Sequence, residues 1–161
     1  MKFSCEKALL QSMITIASRA VAPKSTIPAL EGVLLEAEQE LNLTGYNLKT
    51  GIRGTISADI AEPGSIVLSA RLFGDIIRRL PDDMVTLSTD DLMVNITCGM
   101  SEFNILGMDP SQFPELPAVE YQNSMILPQR ILHSMITETI FAVSTNDSRP
   151  IHTGELFERN G

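Results

Sequence analysis

The feature that most constrains this chain is an internal repeat at a separation of 122 residues. Leu9–Glu36 aligns with Ile131–Glu158 without a gap, and 11 of the 28 aligned residues are identical. Two unrelated amphipathic helices could share a few residues, but Pro28 and Gly32, beyond the first helix, also recur at the same offsets. The separation is far longer than a solenoid repeat, so each copy is predicted to be a whole domain. We therefore expect a first domain in residues 1–120 and an incomplete second copy in residues 121–161.

Hydrophobic periodicity predicts helices and strands in a mixed order. Apolar residues recur at helical spacing in Lys7–Val21, Arg71–Leu80 and, in the second copy, Gln129–Val143. Alternating apolar residues predict strands at Met1–Glu6, Val33–Glu38, Leu41–Tyr46, Ile52–Ile60, Ser65–Ala70, Val85–Ser88, Leu92–Cys98, Glu102–Leu106 and Ser124–Leu127. Strands that follow one another directly predict antiparallel sheets, and so an α+β fold with two helices packed on the sheets of each domain. Asp109–Pro117 contains three prolines and is predicted to connect the domains.

Charge is distributed unevenly between the helices and the rest of the chain. The net charge is −8, but the three predicted helices together carry six basic and only two acidic residues. The acidic total excludes a protein that coats nucleic acid with its whole surface. The polar, acid-poor helix faces instead predict local contact with a polyanion. For any one helix, an ordinary solvated face is the alternative interpretation.

The sequence contains no glycine-rich phosphate loop, nucleophile elbow or paired-histidine zinc motif. We therefore expect no catalytic site, no metal and no cofactor. The pairs Asp82-Asp83 and Asp90-Asp91 occupy predicted turns, where aspartate is common. A hydrolase that uses these turn carboxylates stays open as an alternative.

The cysteines and the start of the chain bear on the cellular compartment. Cys5 and Cys98 lie among alternating apolar residues without CxxC spacing, which predicts reduced core thiols. A disulfide or a reactive thiol is the alternative. No apolar run is long enough to span a bilayer, and the charged residues in Met1–Lys7 do not fit a signal peptide. These features predict a cytoplasmic protein.

Several segments carry a resemblance to a known family. They are MKFSCEKALLQ at Met1–Gln11, TIPAL at Thr26–Leu30, LTGYNL at Leu43–Leu48, EPGSIVLSAR at Glu62–Arg71, SEFNILGMD at Ser101–Asp109, FPELP at Phe113–Pro117, FAVS at Phe141–Ser144 and SRPIHTG at Ser148–Gly154. In this order they resemble the bacterial DNA polymerase III beta subunit, the replicative sliding clamp. The resemblance implies a DNA-clamp fold, in which three similar domains per subunit and two subunits close a ring with helices around duplex DNA. The implied function is a non-enzymatic processivity factor that tethers the replicative polymerase without reading sequence.

The resemblance also implies DNA-contacting residues. It places Lys24, in the loop after the first helix, and Arg71 and Arg78, on the second helix, at basic positions of the family. Asn146 and Arg149 lie in the corresponding loop of the second copy. Composition of the helices alone adds Arg19 and Arg79 to this set.

Two further surfaces follow from the resemblance. The subunit interface of a homodimer would include Leu72, Ile76, Phe103 and Ile105, although simple core packing is the alternative for all four. The cleft that binds peptides of the polymerase and the clamp loader would begin at Arg149 and His152, where the family usually has an aliphatic residue in place of His152. The third domain of the family has no counterpart in these 161 residues, so we expect that they do not encircle DNA alone.

The implied partners are therefore double-stranded DNA, the replicative polymerase, the clamp loader and a second subunit, with no membrane. An oligomeric protein-interaction domain that has the same fold and never meets DNA is the alternative. A single concave face shared by the basic helices would favour the clamp over this alternative.

Overall fold

The computed structural model describes residues 1–118, 125–146 and 148–158. The chain divides into two compact units, Met1–Pro117 and Ala118–Gly161. Each unit is described separately below.

The first unit consists of nine strands, two α-helices and short 3-10 turns. The strands are β1 (Lys2–Glu6), β2 (Gly32–Ala37), β3 (Leu41–Tyr46), β4 (Gly51–Ile56), β5 (Asp59–Glu62), β6 (Gly64–Ser69), β7 (Met84–Asp90), β8 (Met93–Cys98) and β9 (Ser101–Leu106). The helices are α1 (Lys7–Ala17) and α2 (Ala70–Arg79), and 3-10 turns cover Ser18–Ala20, Pro28–Glu31 and Pro110–Gln112. The predicted α+β class is confirmed.

All strand pairs are antiparallel, and they form two sheets. A five-stranded sheet has the order β5-β1-β7-β8-β9, and a four-stranded sheet has the order β4-β3-β2-β6. The hairpins β2–β3, β3–β4, β7–β8 and β8–β9 join neighbours in sequence, as the prediction from successive strands requires. Strand β9 lies at the edge of its sheet, where it pairs only with β8.

One predicted strand is wrong. Ile52–Ile60 is two strands in different sheets, because β4 pairs with β3 whereas β5 pairs with β1. The alternation of exposed and half-buried residues continues without interruption from Gly51 to Ile60. Alternation reports which face of a strand points inward and carries no information on the strand's partner, so the pattern could not reveal the change of sheet.

The core joins both sheets to both helices. Helix α1 buries one stripe, Leu10, Met13, Ile14 and Ala17, and helix α2 buries Ala70, Phe73, Ile76 and Ile77. These side chains share one cluster with the inward residues of β1, β2, β3, β6, β7 and β8. Since each helix contributes only one face, its opposite face is left for solvent.

The termini of the helices follow from local sequence. Ser69 caps α2, since its hydroxyl accepts a hydrogen bond from the Leu72 backbone N–H at 3.4 Å. Pro81 follows directly after Leu80, the last cap residue of α2. Helix α1 ends at Ala17 rather than at the predicted Val21, because the chain tightens into the 3-10 turn Ser18–Ala20.

The thiols of Cys5 and Cys98 are free and buried, which confirms the prediction of reduced core cysteines. Burial away from water raises the pKa of the Cys5 thiol to about 12, with a smaller contribution from the nearby Glu6 carboxylate. Burial also raises the pKa of Cys98. A raised pKa keeps both thiols protonated at neutral pH, and the protonated form is the unreactive one.

The second unit repeats the helix and loop of the first at the predicted offset. Helix α3 (Gln129–Thr139) and the 3-10 turns Ile140–Ala142 and Pro150–Thr153 each lie 122 residues after α1 and its two turns. Backbone hydrogen bonds recur as well: Ala22 N–H donates to Leu30 O at 3.0 Å, and Ser144 N–H donates to His152 O at 2.9 Å. These paired bonds show that the sequence repeat is also a structural repeat.

The second unit has no buried residue among those described. Its predicted strand Ser124–Leu127 is not found, since Met125–Leu127 is irregular and Ser124 lies outside the described residues. A strand is stable only beside a pairing partner, and the described part of this unit supplies none.

Candidate nucleic-acid interface

Helices α1 and α2 lie side by side, and a groove of about 250 Å³ separates their outer faces. Its polar walls are Gln11, Thr15 and Ser18 on one side and Arg71, Asp75 and Arg78 on the other. Its apolar floor consists of Ile14, Ala70, Gly74 and Ile77. The groove therefore combines two guanidinium groups with hydroxyl and amide groups, which is chemistry suited to phosphate oxygens.

The basic residues around this groove differ in their partners. Arg78 Nη2 donates to Asp75 Oδ1 at 2.6 Å, and the two side chains are 62% and 41% exposed. Arg71 is exposed and has no ion pair within the described part of the chain. The same holds for Arg79 at the end of α2. The pair between Arg78 and Asp75 is local and solvent-exposed, so Arg78 stays accessible to a ligand.

Arg19 and Lys24 lie after α1. Arg19 is exposed in the 3-10 turn Ser18–Ala20, and Lys24 is exposed in the loop that follows it. The loop is held by Glu31, whose Oε1 accepts a hydrogen bond from the Ser25 backbone N–H at 2.9 Å. Neither Arg19 nor Lys24 lines the groove, so the structure brings only Arg71 and Arg78 of the predicted set together there.

Lys7 shows that the charge count of the helices overstates the accessible charge. Its side chain is 11% exposed, and its Nζ donates to Asp82 Oδ1 at 2.8 Å. This pair ties the start of α1 to the turn after α2. Lys7 is therefore a structural cation.

Two of the turn aspartates, Asp83 and Asp91, support the conformation of the backbone in their turns. Asp83 Oδ1 accepts a hydrogen bond from the Met84 N–H at 2.7 Å, and Asp91 has a φ of +52° in the turn between β7 and β8. Aspartate tolerates this left-handed conformation better than most residues do. Within residues 1–118, 125–146 and 148–158, no three His, Cys, Asp or Glu side chains are grouped to hold a metal ion.

The four predicted interface residues separate into two pairs. Leu72 and Phe103 are 47% and 39% exposed, whereas Ile76 and Ile105 are 8% and 9% exposed and belong to the core. Core packing thus accounts for Ile76 and Ile105. Phe103 lies on the edge strand β9, where backbone groups on one side have no strand partner in the first unit.

In the second unit, the predicted site residues lie in the loop after α3. Asn146 is exposed and shapes a turn, because its Oδ1 accepts a hydrogen bond from the Ser148 N–H at 2.9 Å. Arg149 is exposed, and its carbonyl accepts the His152 N–H at 3.0 Å. His152 lines a groove of about 400 Å³ with Ile151 and other apolar residues of this unit, and Arg149 does not.

Comparison with known proteins decides the family. The sequence pattern of the DNA polymerase III beta subunit, N-terminal domain, matches residues 1–117. The chain belongs to this family. It is 38% identical over 164 aligned residues to a protein named Beta sliding clamp from Staphylococcus epidermidis, and the match covers 96% of this chain and 44% of that relative. The chain thus spans less than half the length of the curated relatives that it matches.

Solved beta-subunit structures agree with the fold. A putative DNA polymerase III beta subunit from Eubacterium rectale superimposes with a TM-score of 0.90 at 37% identity, over 96% of this chain and 43% of that one. The DNA polymerase sliding clamp from Bacillus subtilis gives a TM-score of 0.87 at 33% identity, over 94% of this chain and 42% of that one. The predicted DNA-clamp fold is therefore confirmed.

Two features of this site were not identified from sequence. The pair between Asp75 and Arg78 has the i, i+3 spacing that joins side chains on a helix, and this spacing could have revealed it. The contact between Lys7 and Asp82 joins residues far apart in the chain and left no local signal.

Among the described helices, none is long and apolar enough to cross a membrane.

Proposed function

We propose that this beta-subunit chain is part of a sliding clamp, a processivity factor that holds a replicative DNA polymerase on duplex DNA. The observation that carries the proposal is the groove between α1 and α2, which offers Arg71, Arg78 and short polar side chains on a chain of net charge −8. Guanidinium, hydroxyl and amide groups of this kind can donate to DNA phosphates, and such contacts carry no sequence information. The proposed role is that of an accessory subunit with no catalytic site of its own.

Sliding requires weak contacts with the DNA backbone. We propose that exposed Arg19, Lys24 and Arg79 of the first unit add to the contacts of the groove residues. We further propose that Asn146 and Arg149, which are exposed in the second unit, also contact DNA. Each phosphate that a cation neutralises releases counterions, so affinity for duplex DNA falls with salt. A surface with few cations keeps this affinity low, and the acidic remainder of the chain repels DNA elsewhere.

The remaining contacts proposed here are between proteins. Exposed Leu72 and Phe103, beside the free edge of β9, would take part in the homodimer interface. Arg149 and His152 would form one side of the cleft for peptides of the polymerase and the clamp loader. The groove that His152 shares with Ile151 supports an apolar peptide side chain at this position.

The test is duplex binding by fluorescence anisotropy as a function of salt, with two labelled duplexes of unrelated sequence. Lys24→Ala and Arg71→Ala are each expected to weaken binding to both duplexes equally and to reduce the slope of log affinity against log salt by about 0.9. Lys49→Ala is the matched control, because Lys49 is exposed in the turn between β3 and β4 and is not among the proposed DNA contacts.

Two results would contradict the proposal. One is an unchanged slope in both variants, which would favour a protein-interaction domain that does not bind DNA. The other is a preference for one duplex sequence, since phosphate contacts carry no sequence information.

A further inference from the structure

The carboxylate of Asp75 is unfavourable on a surface that is proposed to contact DNA phosphates. It is the only acidic residue in α1 and α2, and it lies in the groove beside Arg71 and Arg78. A fixed negative charge there repels each phosphate that approaches. Because Asp75 Oδ1 also accepts the hydrogen bond from Arg78 Nη2, it occupies a donor that DNA would otherwise use.

We propose that Asp75 is an intramolecular counterion, which competes with a DNA backbone phosphate for Arg78 and so lowers the affinity of this helix pair for DNA. The inference rests on the proposed function, since it concerns the same DNA-facing surface. It assigns Asp75 as a positioning residue that acts through Arg78.

The geometry allows one anion to replace the other. Both side chains are substantially exposed, at 41% for Asp75 and 62% for Arg78, so the pair can open without uncovering a buried charge. The facing wall of the groove offers the Ser18 hydroxyl and the Gln11 amide, which can donate to a phosphate oxygen. Entry of a phosphate thus exchanges one exposed ion pair of Arg78 for another.

This exchange predicts that Arg78 adds less to DNA affinity than Arg71 does. Arg71 has no ion pair among the described residues and gains a new partner when a phosphate enters the groove. Arg78 loses Asp75 as it gains the phosphate, and exposed ion pairs are nearly equal in strength. Removal of the Asp75 charge makes Arg78 equivalent to a free cation.

The experiment measures duplex affinity and its salt slope for Asp75→Asn and Asp75→Ala in the 161-residue chain. Both variants are expected to bind about two- to fivefold more tightly, the range for an exposed ion pair, and to steepen the salt slope by up to about 0.9. The matched control is Glu38→Gln, which removes one negative charge from an exposed turn outside the groove. A double variant introduces Asp75→Asn into an Arg78→Ala chain, where no gain in duplex affinity is expected.

Each result separates the inference from the function. If Arg71→Ala weakens binding but both Asp75 variants leave it unchanged, the inference is wrong and the clamp function stands. A gain that persists in the Arg78→Ala chain, or that Glu38→Gln reproduces, also overturns it, because general repulsion would then be the cause. If neither Lys24→Ala nor Arg71→Ala changes binding, the proposed function itself fails.

Discussion

Two glycines beside α1 give predictions of opposite sign. Gly45 lies in β3, where a Cβ atom would overlap the carbonyl oxygen of Ala17 and would lie 2.9 Å from its carbonyl carbon. Both obstacles are backbone atoms at the end of α1, so the helix must move to make room. Overpacking of this kind costs about 1–3 kcal/mol, and Gly45→Ala is therefore expected to lower the free energy of unfolding by that amount.

Gly74 is the matched control, because the same substitution there meets no steric overlap. A Cβ atom at Gly74 would contact only Ile14 Cγ2, at 3.5 Å, which is an ordinary van der Waals distance. Glycine in a helix interior is less favourable than alanine by about 0.5–1 kcal/mol. Gly74→Ala is therefore expected to raise the free energy of unfolding by about that amount.

Thermal and urea unfolding, followed by circular dichroism, test both substitutions in the full chain. For a unit of this size, 1 kcal/mol corresponds to about 3–6 °C in Tm, so the two variants should differ by well over the error of the measurement. An unchanged urea m value would show that both variants unfold the same amount of surface. A neutral Gly45→Ala, or a Gly74→Ala that destabilises as much, would refute the packing of α1 on β3.

Two further outcomes follow from burial. Ile105→Ala is expected to lower the free energy of unfolding by about 2–4 kcal/mol in urea, since Ile105 is 9% exposed. Phe103→Ser should mainly weaken self-association at high concentration, as measured by sedimentation. A Phe103→Ser variant that loses more stability than Ile105→Ala would contradict the assignment of Ile105 to the core and Phe103 to the interface. The Cys5 thiol, whose pKa rises from 9.0 to about 12 on folding, keeps its proton in the folded state while the unfolded chain loses it, so stability falls as pH rises from about 9 to about 12. Cys5→Ala should flatten that pH dependence relative to the unaltered chain.

Local sequence patterns predicted the elements well and their partners poorly. Alternation located β3 at its observed bounds, and helical periodicity located α2 to within one residue at each end. The same alternation merged β4 and β5 into one strand, because a change of sheet leaves the inward face of the chain unchanged. Pairing is decided by contacts distant in sequence, such as Ser4 with Asp59.

The sequence predicted which basic residues lie at the candidate site, but not which of them are paired within the chain. Composition and resemblance together selected Arg71 and Arg78, which line one groove. Composition also counted Lys7 among the helix cations, although its ammonium group forms an ion pair with Asp82. Burial divided the four proposed interface residues, since a hydrophobic residue on a helix or an edge strand can face either the core or a partner.

The two faces of α2 allow DNA contact and stability to be tested separately. Because a helix has 3.6 residues per turn, the groove residues Arg71, Asp75 and Arg78 lie on one side, and Phe73 and Ile76 are buried on the other. Charge substitutions in the groove remove no core contact, so they should leave the free energy of unfolding within about 0.5 kcal/mol of that of the unaltered chain. A change in duplex affinity without a change in Tm then reports charge alone. Affinity changes that track Tm across the groove variants would instead mean that the helix pair is held together by the same residues that are proposed to meet DNA.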